Sequence, residues 1–433
     1  MTTLRQVSWD EADLRARLCL ALDIAKRAVE FFAIDGYADA EAPENSFRPE
    51  KPVAETAMLL YAASVASRFP DVASRISEIA RLLIPYARSR RTLLNMALHP
   101  SVCLDFAVPH VLLTKLGYPD SSFDAVLSSC LDSLASHGHE RPSFAAIEQK
   151  WITSLWKRTA PGRDWRPDLR NSVLYRRLDI LGGQRQDAYA FTHLVMYCTD
   201  FGFRAPYLPR SRSTILTEAR SLLAKCLDDE DYDLAAEVLL AWPLTGARWC
   251  SSSTFAFRVL ARVEDQVGVL PAGTTRADRL NKLDGTDRAH YALGTAYHTA
   301  LVMGLICAAS LRPGAAPPVR VPGPRFPHSC VDRLVEYLDE DQGHWQPQFA
   351  ELTQAERSAV APLLLDVALA QKCRKHDYQA VSDLLRLASR QGMAKSSLCA
   401  QAAQLLERLT ICSHAIASST NGSAQPSGRA VVA

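Results

Sequence analysis

The chain has 433 residues, 48% of them hydrophobic and 22% charged, a balance that suits a globular protein with a large core and excludes a disordered one. Its 49 basic and 47 acidic residues leave a formal charge of +2, so no global field draws it to nucleic acid or to an anionic membrane surface. Neither nucleic acid nor a membrane is an expected partner.

The opening stretch, Met1 to Asp10, has no basic segment leading into an apolar one, so a secretory signal is not expected and the chain reads as cytoplasmic. Arg far outnumbers Lys and Ala is abundant, a hint of a GC-rich bacterial coding sequence. The eleven cysteines are scattered through apolar helical patterns, as in Arg17-Leu18-Cys19-Leu20-Ala21, without any Cys-x-x-Cys. In a reducing compartment they read as small buried hydrophobes, not as a zinc site.

Helical periodicity then dominates. Glu11 to Phe32, Val53 to Arg68, Val72 to Tyr86 and Phe144 to Trp156 place apolar residues three and four apart, whereas strand alternation is almost absent. The expected fold is all-α, with stacked helical hairpins forming an α/α toroid or an α-solenoid-like body. One continuous body is expected over residues 1–417, with a soft boundary in the 157–172 loop and a Pro-rich loop at 312–327. Residues 418–433, rich in Ser and Gly, read as a disordered tail. Apolar stretches such as Ala300 to Leu311 are too short to span a bilayer, which takes about 20 residues.

His137-Gly138-His139-Glu140 holds metal-capable side chains but reads as a solvated turn before Arg141-Pro142. On the following helix, Glu148 and Trp151 stand three apart and are candidates for the border of a pocket.

The segment from Gln184 to Asp200 is the most unusual helix. Steps of three and four align Gln186, Tyr189, His193, Tyr197 and Asp200 on one face, and Gly202 is placed to cap the end. Asp187 lies six residues from His193, either starting the helix or orienting a neighbouring group. A second striped helix, Asp287 to Thr299, carries Tyr291, Gly294, Thr295 and His298, and its small residues allow close approach of a backbone or a ligand. If the two helices face each other, Tyr189, His193, Tyr291 and His298 line one pocket. Histidine transfers protons near neutral pH, and a carboxylate on its second nitrogen fixes the tautomer and raises basicity. The expected catalytic set is therefore His193 as base or acid, Asp187 as its orienter, and His298. The expected substrate-binding set is Tyr189, Tyr197, Tyr291, Glu148 and Trp151. Two imidazoles and a carboxylate also make an open coordination set for a divalent metal, although nothing in the spacing requires a metal or any other cofactor. The competing reading of both stripes is a hydrogen-bonded contact between helix layers.

One pattern occurs twice. Lys225-Cys226 precedes Asp231-Tyr232 and a new apolar helix, and Lys372-Cys373 precedes Asp377-Tyr378 and another. Each reads as a helical hairpin whose Asp caps the second helix, and repetition argues for stacking. The run Asp228-Asp229-Glu230-Asp231 falls in the first hairpin's turn and reads as a solvated charge run.

There is no phosphate loop, dinucleotide fingerprint, nucleophile elbow or His-Glu-x-x-His pair, which disfavours the common kinases, dehydrogenases, hydrolases and zincins. The expected function is that of an enzyme of bacterial specialised metabolism acting on a small organic substrate by His/Asp acid-base chemistry. The alternative is a non-catalytic helical-repeat scaffold or regulator binding a protein or peptide.

Overall fold

Asp10 starts the first helix by accepting a hydrogen bond from the Asp13 amide at 2.9 Å, and Leu14, Leu18, Leu22, Ala25, Val29 and Phe32 then form one buried stripe. The computed structural model describes residues 9–133, 140–161, 163–339, 343 and 345–422. Within them the first part of the chain forms α1 (Glu11–Phe32), α2 (Glu50–Ala63), α3 (Pro70–Ala87), α4 (Arg90–Leu98), α5 (Cys103–Lys115), α6 (Ser121–Ser133), α7 (Ser143–Lys157) and α8 (Arg166–Arg170). The middle part forms α9 (Arg185–Thr199), α10 (Arg212–Asp228), α11 (Tyr232–Leu239), α12 (Ala241–Leu244), α13 (Ser251–Val267), α14 (Ala277–Leu280) and α15 (Gly285–Ser310). The last part forms α16 (His328–Glu336), α17 (Trp345–Ala350), α18 (Gln354–Arg374), α19 (Tyr378–Arg390) and α20 (Ser397–Gly422). The fold is all-α: among the described residues the only β pairing is an isolated antiparallel bridge between Tyr37 and Phe47.

The packing order is less regular than neighbour-on-neighbour stacking. The most extensive helix contact joins α1 to α15, which lies far along the chain. Two glycines permit it. A Cβ on Gly304 would sit 2.6 Å from the Ala21 Cβ, and one on Gly294 would sit 2.3 Å from the Tyr37 ring, so both backbones approach to a distance that no larger residue allows. At Gly294 and Gly304 the small residues of this helix thus receive protein. The helix is also longer than its most apolar stretch suggests. It is the one described helix long and apolar enough to cross a membrane, yet 78% of its apolar window is buried in the body, as in a core helix.

The two hairpins that repeat in the sequence are α10–α11 and α18–α19. Asp231 accepts from the Leu234 amide and Asp377 from the Ala380 amide, each capping its second helix, and Glu230 and His376 take the left-handed conformation just before. The hairpins stack through α10 and α18: Ser221 donates to Asp366 at 2.8 Å, and Arg374 reaches Asp228 at 2.6 Å and Asp229 at 2.8 Å. The acidic run is exposed in part, as at Asp229, and its charges also pair one hairpin to the other and, through Asp231, reach Arg185 at 2.6 Å.

Two boundaries differ from the sequence reading. The end of α9 falls on Asp200, left-handed at φ +50°, not on Gly202, because Asp200 is held there by Trp151 and Tyr61. Helix α20 continues through Gly422, past the start of the expected tail, and residues 423–433 lie outside the described residues. His137, Gly138 and His139 also lie outside them.

Replacing Gly304 with Val is expected to destabilise the fold by about 1–3 kcal/mol, since an overpacked helix contact must open. Urea denaturation followed by circular dichroism measures it, and an unchanged midpoint would mean that α1 and α15 separate without cost.

Candidate functional site

Helix α9 begins with a reciprocal cap in which Gln184 and Asp187 satisfy each other's backbone amides, with the Gln184 amide donating to Asp187 at 3.1 Å. This fixes the helix so that Tyr189, Thr192 and His193 face α11. On α11, Asp233 and Glu237 stand one turn apart on the same face, within a run of buried Leu, Ala and Val. Helix α15 brings His298 and Thr299 to that face, and α2 brings Glu55.

Glu237 is the centre of the arrangement. Its side chain is only 2% exposed, its Oε2 accepts from Thr192 at 2.5 Å, and its Oε1 lies 3.6 Å from His193 Nε2 and 3.7 Å from His298 Nε2. The two histidines, from helices remote in sequence, thus converge on one carboxylate oxygen. His298 Nε2 is also 3.5 Å from Asp233, and its Nδ1 is 3.2 Å from Glu55. These are charge contacts: Nδ1 has no aligned hydrogen-bond partner, and neither has the buried Glu55 Oε2. Asp233 in turn accepts from the Tyr189 hydroxyl and from Thr299 at 3.3 Å.

Charge pairing overrides burial throughout. Burial pushes Glu237 towards its neutral form, but hydrogen bonding and charge from both histidines outweigh it and hold the carboxyl at about 2. Glu55 is likewise driven up by burial and brought down more strongly by His298 and Lys51, to about 2. Burial disfavours the charged form of each histidine, yet Glu237 raises His193 and the Glu55 and Asp233 charges raise His298 well above the usual range. The pairing thus favours the imidazolium form of both histidines and the carboxylate form of Glu55 and Glu237.

Glu55, His193, Asp233 and His298 line a cavity of about 800 Å³ together with Phe47, Phe144, Tyr189 and Tyr297, while Glu237 is buried against the two histidines and does not line it. His193 and His298 reach it with side chains 30% and 28% exposed. The structure brings Tyr189, His193 and His298 together as the sequence suggests, but substitutes other carboxylates for the expected orienter. Asp187 is used at the helix start, six positions and nearly two turns from His193, and Glu237 takes its place. Four other expected residues do not line the cavity. Tyr197 donates to Glu148 at 2.7 Å, Trp151 is wholly buried, stacked on Tyr197 and donating to Asp200 at 2.7 Å, and the Tyr291 hydroxyl accepts from the Arg276 amide. They are contacts between layers, set by the need of a buried Tyr or Trp for a polar partner.

The residues that sequence reasoning missed are Glu55, Asp233 and Glu237. A signal for the α11 pair was present in Asp233-Leu-Ala-Ala-Glu237, two acids at helical spacing inside an apolar run, where unpaired charges would be costly. Among the described residues, no group of three or more His, Cys, Asp or Glu side chains is arranged to hold a metal ion.

The fold and site define an all-α protein with an ion-paired histidine cavity at its centre. The chain belongs to the family described as a domain of unknown function, DUF6895, whose model matches residues 18–308. That span contains every residue of the histidine site, while α16 to α20 follow it. No curated protein and no solved structure matches the chain.

Folding raises the histidines above 6.5 and lowers Glu55 and Glu237 below 4.5. The histidine contribution to stability is full below pH 6.5 and is lost as pH rises through the raised values; the carboxylate contribution is present above 4.5 and is lost as pH falls toward 2. Replacing Glu237 with Gln is expected to cost about 3 kcal/mol inside that window, since it leaves buried imidazoliums under-compensated, and less on either side. Urea midpoints of both proteins across the pH range check this, and a difference independent of pH would show that the charges do not interact.

Proposed function

We propose that this cavity binds a small polar organic substrate and that His193 acts on it as a general acid. The observation that supports this reading is that His193 and His298, both lining an 800 Å³ cavity, converge on one oxygen of the buried Glu237. Pockets of this size, part aromatic and part polar, suit small ligands. Glu237 favours the protonated ring of His193, which suits it to give a proton more than to act as a free base. When that proton passes to a substrate atom, the neutral ring remains beside Glu237, and the next proton comes from solvent through the exposed part of the side chain. His298, pinned by three carboxylates, serves as a fixed positive charge, and Tyr189 is oriented by Asp233 as a polar anchor. The unpartnered Glu55 Oε2 at the same wall is an acceptor suited to a hydroxyl or amine of the substrate.

The composition rich in Arg and Ala supports a bacterial source, and the lack of any housekeeping motif supports a role in specialised metabolism. A cytoplasmic setting is supported by the eleven cysteines, all unpaired and nearly all at least partly buried.

The test is a thermal-shift screen of small polar metabolites against the wild-type chain, with hits carried to turnover assays. A ligand at 100 times its Kd adds about 2.7 kcal/mol of stability. His193→Ala, with helicity checked, is expected to lower kcat by about 10²–10⁴-fold, and wild-type activity is expected to fall as pH rises through the His193 titration. A chain stabilised by no small molecule but by extended peptides would replace this reading with that of a peptide-binding scaffold.

A further inference from the structure

A second cavity, of about 640 Å³, lies where the 177–183 loop meets the C-terminal ends of α10 and α18 and the flank of α20. Its charged lining is one-sided: Arg177, Lys225, Arg374 and Arg408 face a single carboxylate, Asp179, with His376 beside them. Two of the cations have an ordinary explanation. Lys225 and Arg374 stand in the last turns of α10 and α18, where the carbonyl ends favour positive charge, and both are paired with Asp229, at 2.5 and 2.8 Å. Arg177 and Arg408 are exposed and have no such helix-end role. Arg177 comes from a loop and Arg408 from the middle of α20, and among the described residues neither side chain has a hydrogen-bond or ion-pair partner. Asp179 forms no ion pair with either of them, and its Oδ1 accepts from the Gly182 amide at 2.9 Å.

The frame around this charge is rigid. The buried side chain of Gln401, on α20, accepts from the Ile180 amide at 2.8 Å and from Leu181 at 3.3 Å, and donates to the Leu178 carbonyl at 2.8 Å. One amide group thus fixes the loop that carries Arg177 relative to the helix that carries Arg408. The loop itself is wound so tightly that a Cβ on Gly183 would lie 2.2 Å from the Asp179 carbonyl oxygen. Leu178, Leu181, Ala370 and Leu405 supply an apolar surface between the charges.

We propose that this basic cavity is a binding site for a phosphorylated small molecule, separate from the histidine site. Two unpaired guanidinium groups match the paired oxygens of a phosphate or diphosphate, and the apolar patch suits the organic body attached to it. Much of the wall comes from α18 and α20, beyond the residues that match the family, so the site is a property of the family body together with its C-terminal helices.

The experiment is isothermal titration of the full chain with inorganic pyrophosphate and with ATP as probes. Saturable one-to-one binding is expected for at least one probe, weakened ten-fold or more by Arg177→Gln and by Arg408→Gln, and unchanged in Arg276→Gln and in His193→Ala. Arg177 and Arg408 are exposed, so both variants keep the fold, which circular dichroism verifies. Binding of neither probe at millimolar concentration overturns the proposal, as does binding that Arg276→Gln weakens equally. Loss of binding in His193→Ala would assign the probe to the histidine cavity and overturn it as well.

Discussion

A carboxylate buried in an apolar helix is the constraint around which this molecule is arranged. Helix α11 is short and its side chains are buried, so Glu237 is cut off from water and Asp233 meets it only at the cavity wall. An ion in that position is tolerated only with opposite charge and hydrogen bonds close by. Helix α9 supplies Thr192, His193 and Tyr189, and α15 supplies His298 and Thr299. Helix α2 enters because His298, once charged, has a second nitrogen to compensate, and Glu55 does so. Four helices are therefore held in mutual register by electrostatics, while apolar packing supplies the bulk of the stability.

The rest of the body gives α11 its position. The α10–α11 turn carries its negative charges outward in two directions, towards Arg374 of the second hairpin and towards Arg185 at the start of α9. The same turn thus connects the two hairpins to each other and sets where α9 begins. The face of α9 that meets α11 follows from that start, since Tyr189 and His193 lie one and two turns further along. The site and the C-terminal hairpin are coupled through a handful of ion pairs in one turn.

Much of this was legible in the sequence and some was not, for physical reasons. Helical periodicity and the repeated Lys-Cys and Asp-Tyr pattern carry local information, and the all-α class and the paired hairpins follow from them. The striped faces of the helices bearing His193 and His298 were visible for the same reason. What a stripe cannot carry is which helix lies opposite. Tyr197 shares the face of His193 in sequence, but α7 lies against that part of α9, so its hydroxyl meets Glu148 and not the cavity. Asp187 had the right chemistry to orient His193, but a helix terminus claims the nearest acid first. Glu237 was hidden because its partners are distant in sequence, although its isolation among Leu, Ala and Val marked it as a charge in need of a partner.

The contact between α1 and α15 has a consequence for how the chain reaches this state. Helix α1 leaves the ribosome early with a stripe of Leu, Val and Phe along one side, and its main partner begins roughly 250 residues later. At about 5–20 residues per second, synthesis leaves that surface waiting for roughly 10–50 s. During that interval α2 and α3 offer partial cover, and the glycine-lined groove that receives Ala21 does not yet exist. Slower synthesis before Gly285 would lengthen the time for which that apolar stripe lacks its main partner.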